Sequence, residues 1–277
     1  MYGLYAIGLV LIYKGAGVIH FGHAEIGTFA LFLCQILVMK HGMPYGLAAL
    51  IMLAAAGGMA LVFERAVVWP LRSQPRLTVA VASIALLTTL LALEAKLFGP
   101  SSRNLDNPFG TSATQVAGVV ISKAQIVSLL VVLVAAGALA AFLRWTDFGL
   151  AMVAASEDQE AVRFLGIRLS AVSMVTWGLA GVLSGLAALL IQPTVGVVST
   201  GVFGLIFIKS LGAALIGGLS SMSGAFAGGL VVGVGEALIR HATLTSPLNG
   251  LPELCIFLAV VAVLVVRPQG LLGAKWG

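Results

Sequence analysis

Lys209 interrupts an apolar run that extends over about 203–219. An ammonium group is costly in hydrocarbon, so an intramembrane lysine marks a partner or a function. It can pair with a carboxylate, border a solute pathway, or donate to backbone carbonyls. His20, His23 and Glu25 form a second ionisable cluster. These three either line a vestibule or hold two helices together; helix ends near a bilayer midplane often border transport pathways. His-x-x-His alone is a weak metal pattern, and no metal site is read from it. Glu236 and Arg240 are spaced i, i+4, which suits a pair on a helix surface. Cys34 and Cys255 sit inside apolar runs and read as buried structural thiols. No catalytic His/Asp/Ser constellation stands out, which argues against a membrane enzyme. The Gly-x-x-x-x-Gly-Lys-Ser/Thr loop that cradles nucleotide phosphates is also missing from the sequence.

The longest polar stretch on one predicted side of the membrane is 144–169. Ser156 followed by Gln159 fits a capping box. Glu157, Asp158 and Glu160 would crowd a first turn, where the helix dipole favours negative charge. Arg163 falls in the last turn and Gly166 fits the residue just past the end. This predicts a helix of about ten residues, too short to span. Ala161, Val162 and Leu165 give it an apolar side, and Ser170 can cap the next helix. Such an element is either a docking helix or an amphipathic linker.

These residues must be held by a scaffold that composition defines. Hydrophobic residues make up 60% of the 277-residue chain and charged residues 9%, and mean hydropathy is +1.11. A soluble domain carries about 25% charged residues. In lipid every backbone polar group must be paired internally, so long apolar runs are helices. The expected fold is an all-α integral membrane protein, one transmembrane domain over 1–277. Apolar runs at about 2–19, 25–40, 45–63, 77–97, 124–143, 170–191, 203–219, 222–240 and 252–267 predict nine transmembrane helices, within a range of about eight to ten. Lys14, Gly15 and Gly17 interrupt the first run, which reads either as complete or as a broken helix.

Arginines concentrate in 64–76 (Arg65, Arg72, Arg76) and in 144–169 (Arg144, Arg163, Arg168), with Arg267 and Lys275 at the C-terminus. The alternate connections carry Lys40, Arg103, Lys123 and Arg240. The positive-inside rule puts the first set in the cytoplasm and the N-terminus outside. The net charge of +5 is thereby explained by topology, with no call for nucleic acid. The segment 98–123, with Gly99, Pro100, Ser101, Ser102, Arg103, Asn104, Asp106, Asn107 and Pro108, reads as a partner-docking loop, a re-entrant cap or a solvated loop. Gly181/Gly185, Gly224/Gly228 and Gly229/Gly233 have the small-xxx-small spacing that lets helices approach closely.

The run Ser156-Glu-Asp-Gln-Glu-Ala-Val-Arg-Phe-Leu-Gly-Ile167 resembles the coupling-helix motif of ABC importer permeases, with Glu160-Ala161 and a following Gly166. The chain is similar, more specifically, to the branched-chain amino acid permease family. Matching segments occur in order: Gly17-Val-Ile-His-Phe-Gly-His-Ala-Glu-Ile-Gly27, Glu64-Arg-Ala-Val-Val-Trp-Pro-Leu-Arg72, Gly217 to Gly229 with Glu236, and Arg267-Pro-Gln-Gly-Leu-Leu-Gly273. His20 stands where Asn is usual and Gly22 where Ala is usual.

The resemblance implies a subunit of a bacterial inner-membrane importer. A second permease subunit, a copy or a paralogue, would complete the pathway. Two ATP-binding cassette subunits would dock on a coupling helix at about 156–166, through Glu157, Asp158, Glu160, Ala161, Arg163 and Gly166. A solute-binding protein outside would deliver leucine, isoleucine, valine or a related small solute. ATP would be used by the partners, with no cofactor bound directly by this chain. His20, His23, Glu25 and Lys209 are the residues expected nearest the pathway. Competing expectations are a permease for urea, short amides or simple sugars, and a stand-alone secondary carrier. The second usually needs mid-span carboxylates, whereas Glu25, Glu94 and Glu236 lie toward run ends.

Overall fold

The computed structural model describes residues 1–99, 101–105, 108, 110, 113–116, 119–201, 203–242 and 250–273. Its helices are α1 Tyr2–Ala16, α2 His23–Met39, α3 Tyr45–Phe63, α4 Trp69–Leu71, α5 Arg76–Phe98, α6 Lys123–Trp145, α7 Asp147–Glu157, α8 Gln159–Phe164, α9 Leu169–Val195, α10 Gly204–Gly217, α11 Met222–Ala242 and α12 Leu251–Val266. A π-helical turn, Glu64–Val68, joins α3 to α4 in one helical run. Pro70 explains that turn. Its ring lacks an N–H and clashes with a carbonyl one turn back, and a widened turn relieves both.

Each predicted apolar run contains a helix. Five helical runs are long and apolar enough to cross a membrane: Tyr45–Leu71, Arg76–Phe98, Lys123–Trp145, Leu169–Val195 and Met222–Ala242. The remaining apolar helices, α1, α2, α10 and α12, have 14 to 17 residues. α9 occupies the centre, with 61% of its apolar window buried against 17% for α6. It packs on α1, α2 and α3, while α11 packs on α1 and α10. Leu130 and Val134 of α6 are exposed, as a lipid-facing surface requires.

α1 is continuous through Lys14 and Gly15. It stops at Gly17, whose φ of 68° puts the chain in the left-handed region and closes the last turn onto the Tyr13 carbonyl at 2.7 Å. The break therefore lies after the helix and not inside it.

Close helix crossings fall on glycines. A Cβ on Gly228 would collide with the Ala213 carbonyl, one on Gly229 with the Gly3 backbone, and one on Gly217 with the Gly224 carbonyl. Gly181 meets Ala56 and Ala60 of α3, and Gly27 meets Ser184 of α9. Without a hydrophobic force between helices in lipid, such close approach supplies the dispersion that holds a bundle together.

The polar segment after α5 is partly ordered as strand, which the sequence reading did not anticipate. β1 (Arg103–Asn104) pairs antiparallel with β4 (Val197–Val198), and β2 (Ala113–Val116) with β3 (Val119–Ser122). Pro100, Asp106 and Asn107 lie outside the described residues. Arg103 donates to the Phe98 carbonyl at 2.6 Å, and Gln192 of α9 donates to the Leu105 carbonyl at 2.9 Å. The connection is thus tied to the end of α9. A capping box, Ser122 with Gln125, then starts α6.

The chain has two distinct ends. The end of α1, the α4–α5 junction, α7 and the start of α9 line one cavity and so lie together. The β1–β4 ribbon, the end of α9 and the start of α10 lie at the other. We expect Gly228→Leu to destabilise the bundle by about 1–3 kcal/mol through forced separation of α10 and α11. Gly235→Ala, where a Cβ meets nothing within 4 Å, should be neutral or stabilising by up to about 1 kcal/mol. Thermal unfolding in mild detergent, followed by size-exclusion chromatography, separates these outcomes.

Candidate functional site

The short helix α8 is shorter than the sequence suggested. It has 6 residues, Gln159–Phe164. Ser156 and Glu157 belong to α7, where Ser156 Oγ donates to the Val153 carbonyl. The cap is Asp158, whose Oδ1 accepts from the backbone N–H of Glu160 at 2.9 Å and of Ala161 at 3.0 Å. An aspartate beats a serine here because it also brings a full charge to the helix start. Ser170 does not cap α9; Arg168 precedes that helix without a side-chain cap.

α7 itself was not foreseen. Thr146 accepts from Gly149 N–H at 3.0 Å and starts it directly after α6. Gly149 packs so tightly on Phe142 and Leu143 that no side chain fits. This is what folds 144–169 back onto the bundle as two short helices.

Glu157, Asp158, Glu160, Ala161, Arg163 and Gly166 are all exposed, and Gly166 adopts a φ of 76° that ends the turn. Val162 is the buried anchor at 2% exposure. Leu165, expected on the apolar side, is 76% exposed and Phe164 is 91% exposed. Two large apolar side chains at the tip of a capped helix form a knob that no described residue covers. Behind them a cavity of about 190 Å³ carries Arg72, Arg76 and Arg163 on its walls. Arg72 also stacks on Trp69 at 3.9 Å.

His20 and His23 go to the interior. Both are fully buried, and Glu25 is 1% exposed. His20 lies 4.8 Å from Trp177 of α9 and stacks on Phe63 of α3 at 5.5 Å; His23 meets Tyr5 of α1 edge-on at 5.9 Å. A Cβ on Gly8 would strike the His23 ring. Ser184 Oγ donates to the His23 carbonyl. The pair therefore sits where α1, α2, α3 and α9 meet, and neither histidine nor Glu25 lines the two cavities described here.

Lys209 has the richest surroundings. Its Nζ donates to Glu236 Oε1 at 2.7 Å and lies 2.8 Å from Glu253 Oε1. Glu236 further accepts from Tyr2 Oη at 2.6 Å and from Arg240 Nη2 at 2.7 Å. The i, i+4 pair is thus no plain surface pair: Glu236 is 6% exposed and joins α1, α10 and α11. Two cations and two anions sum to zero, which is what makes the group tolerable in an apolar setting. Glu253 and Tyr2 were missed in the sequence because each begins a helix and looks like an end residue. The signal available was the lone lysine itself, which demanded a carboxylate. These side chains border a cavity of about 780 Å³ between α1, α6, α9, α10, α11 and the start of α12. The cavity lies beside the last turn of α9, and α8 lies beside its first; a 27-residue helix separates the two by about 40 Å. Among the described residues no group of three or more His, Cys, Asp or Glu side chains is arranged to hold a metal ion.

Residues 1–266 match the family described as branched-chain amino acid transport system / permease component. The permease protein BraD of the high-affinity branched-chain amino acid transport system of Pseudomonas aeruginosa is 30% identical, over 98% of this chain and 91% of its own length. LivH, the permease protein of the corresponding Escherichia coli system, is 29% identical over the same shares. A probable LivH of Methanocaldococcus jannaschii is 29% identical over 47% of this chain and 42% of its own. No solved structure matches significantly. On the strength of the match across almost its whole length, the chain belongs to the branched-chain amino acid transport permease family.

Proposed function

We propose that the chain is one membrane subunit of an ABC importer that moves branched-chain amino acids, or a close relative, into the cytoplasm. The observation that carries this reading is the family match over residues 1–266. The knob of Phe164 and Leu165 on α8 supports it, because an exposed apolar tip on a capped helix suits insertion into a partner's groove. In this reading nine helices span the membrane, with α1, α2, α10 and α12 crossing as short helices. The arginine-rich end faces the cytoplasm, the N-terminus lies outside, and the C-terminus lies inside.

Two ATPase subunits bind the α8 region, where Glu157, Asp158, Glu160, Ala161, Arg163 and Gly166 frame the knob. They hydrolyse the ATP; this chain binds no cofactor itself. A second permease subunit completes the pathway, and a solute-binding protein docks at the far end. His20, His23 and Glu25 hold helices together, and Lys209 borders the pathway.

Affinity capture of the tagged chain from mild detergent tests the assembly. Wild type should bring down an ATPase and a second permease. Glu160→Arg should lose the ATPase at least tenfold while retaining the permease. Wild type recovered alone, yet carrying solute in liposomes without ATP, would instead make the protein a secondary carrier. Asp158→Ala should loosen α8 by about 1 kcal/mol through loss of its cap. ATPase capture should then fall several-fold, and a helix-favouring cap, Asp158→Ser, should restore most of it.

A further inference from the structure

We infer that the cavity beside Lys209 is a site for a free α-amino acid with an aliphatic side chain, read at both its charged ends. The inference rests on the importer reading for its place in transport, but its chemistry comes from the cavity alone. Lys209 is 6% exposed and nonetheless borders the cavity. Its ammonium has three N–H donors. Two are directed to Glu236 and Glu253, and the third has no partner among the described residues. Glu253 gives one oxygen to Lys209, and its side chain remains 37% exposed on the same cavity.

One site therefore keeps a spare donor on a cation and a spare acceptor on an anion, beside each other. The Lys209–Glu253 separation is 2.8 Å. An α-amino acid carries its carboxylate and its ammonium on a single carbon, so both can be met at such a spacing. The carboxylate would take the Lys209 donor, and the ammonium would take Glu253. Charge-assisted bonds of this kind discriminate strongly when water is scarce. Leu129, Val132, Ile191, Leu205 and Ile206 form the adjoining wall. They offer an aliphatic side chain dispersion contacts and no hydrogen bonds.

A simple helix lock explains less. The Lys209–Glu236 pair with Tyr2 and Arg240 already joins α1, α10 and α11. Glu253 adds a second carboxylate to the same ammonium, at the rim of a 780 Å³ space. Pockets of that size usually hold small molecules, with mostly apolar walls and a few placed polar groups.

Equilibrium binding of radiolabelled leucine to the purified full chain in lipid nanodiscs tests the site without any import step. Leucine should bind saturably and be displaced by isoleucine and valine. 4-Methylpentanoate, which lacks the ammonium, and 3-methylbutylamine, which lacks the carboxylate, should compete at least tenfold less well. Glu253→Gln, at a partly exposed position that should fold normally, should weaken binding about tenfold, the scale of one lost charged contact. Lys209→Gln removes the cation while Glu236 keeps Tyr2 and Arg240 as partners, so it should elute as a folded monodisperse species and bind leucine poorly. Absence of saturable binding in wild type, equal competition by either one-charged analogue, or wild-type binding by folded Lys209→Gln would each overturn the site. ATP-driven uptake with the partner subunits is read separately. If the wild type binds leucine as described but shows no ATP-dependent uptake, the importer reading fails and the site stands.

Discussion

The absence of water around the bundle governs the structure. Every helix must satisfy its own backbone in lipid, and nothing apolar drives one helix toward another. Association then depends on close backbone approach and on the few polar groups that hydrocarbon cannot tolerate alone. Gly228 against Ala213, Gly229 against Gly3 and Gly181 against Ala56 supply the first. Glu236, with Tyr2, Lys209 and Arg240 around it, supplies the second. Around α11 both devices act together, holding it to α1 and α10, two of the shorter apolar helices.

The remaining half of the bundle is organised around α9. Its first turns receive α7 and α8, its middle carries Trp177 and Ser184 against the histidine core, and its last turn holds Leu105 through Gln192. One continuous helix therefore touches the arginine-lined cavity, the buried core and the strand-ordered connection. A tilt of α9 would be felt at both ends of the molecule, which would suit the proposed importer.

Much of this was legible in the sequence, because lipid makes the hydropathy pattern nearly literal. The helices fall where apolar runs fall, and five of the six small-xxx-small glycines lie at close crossings: Gly224 and Gly228 with α10, Gly229 with α1, Gly181 and Gly185 with α3, whereas at Gly233 a Cβ would make only an ordinary contact with Tyr2. Local polar detail was less legible. Ser156 and Asp158 are both good caps, and only the packing of α7 through Gly149 decides that the helix restarts at Gln159. β1 pairs with β4 across more than ninety residues of sequence, a contact that a two-residue strand cannot announce. Long-range partners were hidden for the same reason. Lys209 advertised the need for a carboxylate, but nothing local chose between Glu236, Glu253 and the backbone.

The charge balance of that group has an electrical consequence. A transmembrane voltage does work of about 2.3 kcal/mol on each elementary charge moved through 100 mV. Lys209 and Arg240 cancel Glu236 and Glu253, so the four can shift together along the membrane normal without net work against the field. Movement of this four-residue group is then electrically silent. The membrane potential can neither drive it nor hold it back, and the force for any such motion must come from chemistry elsewhere.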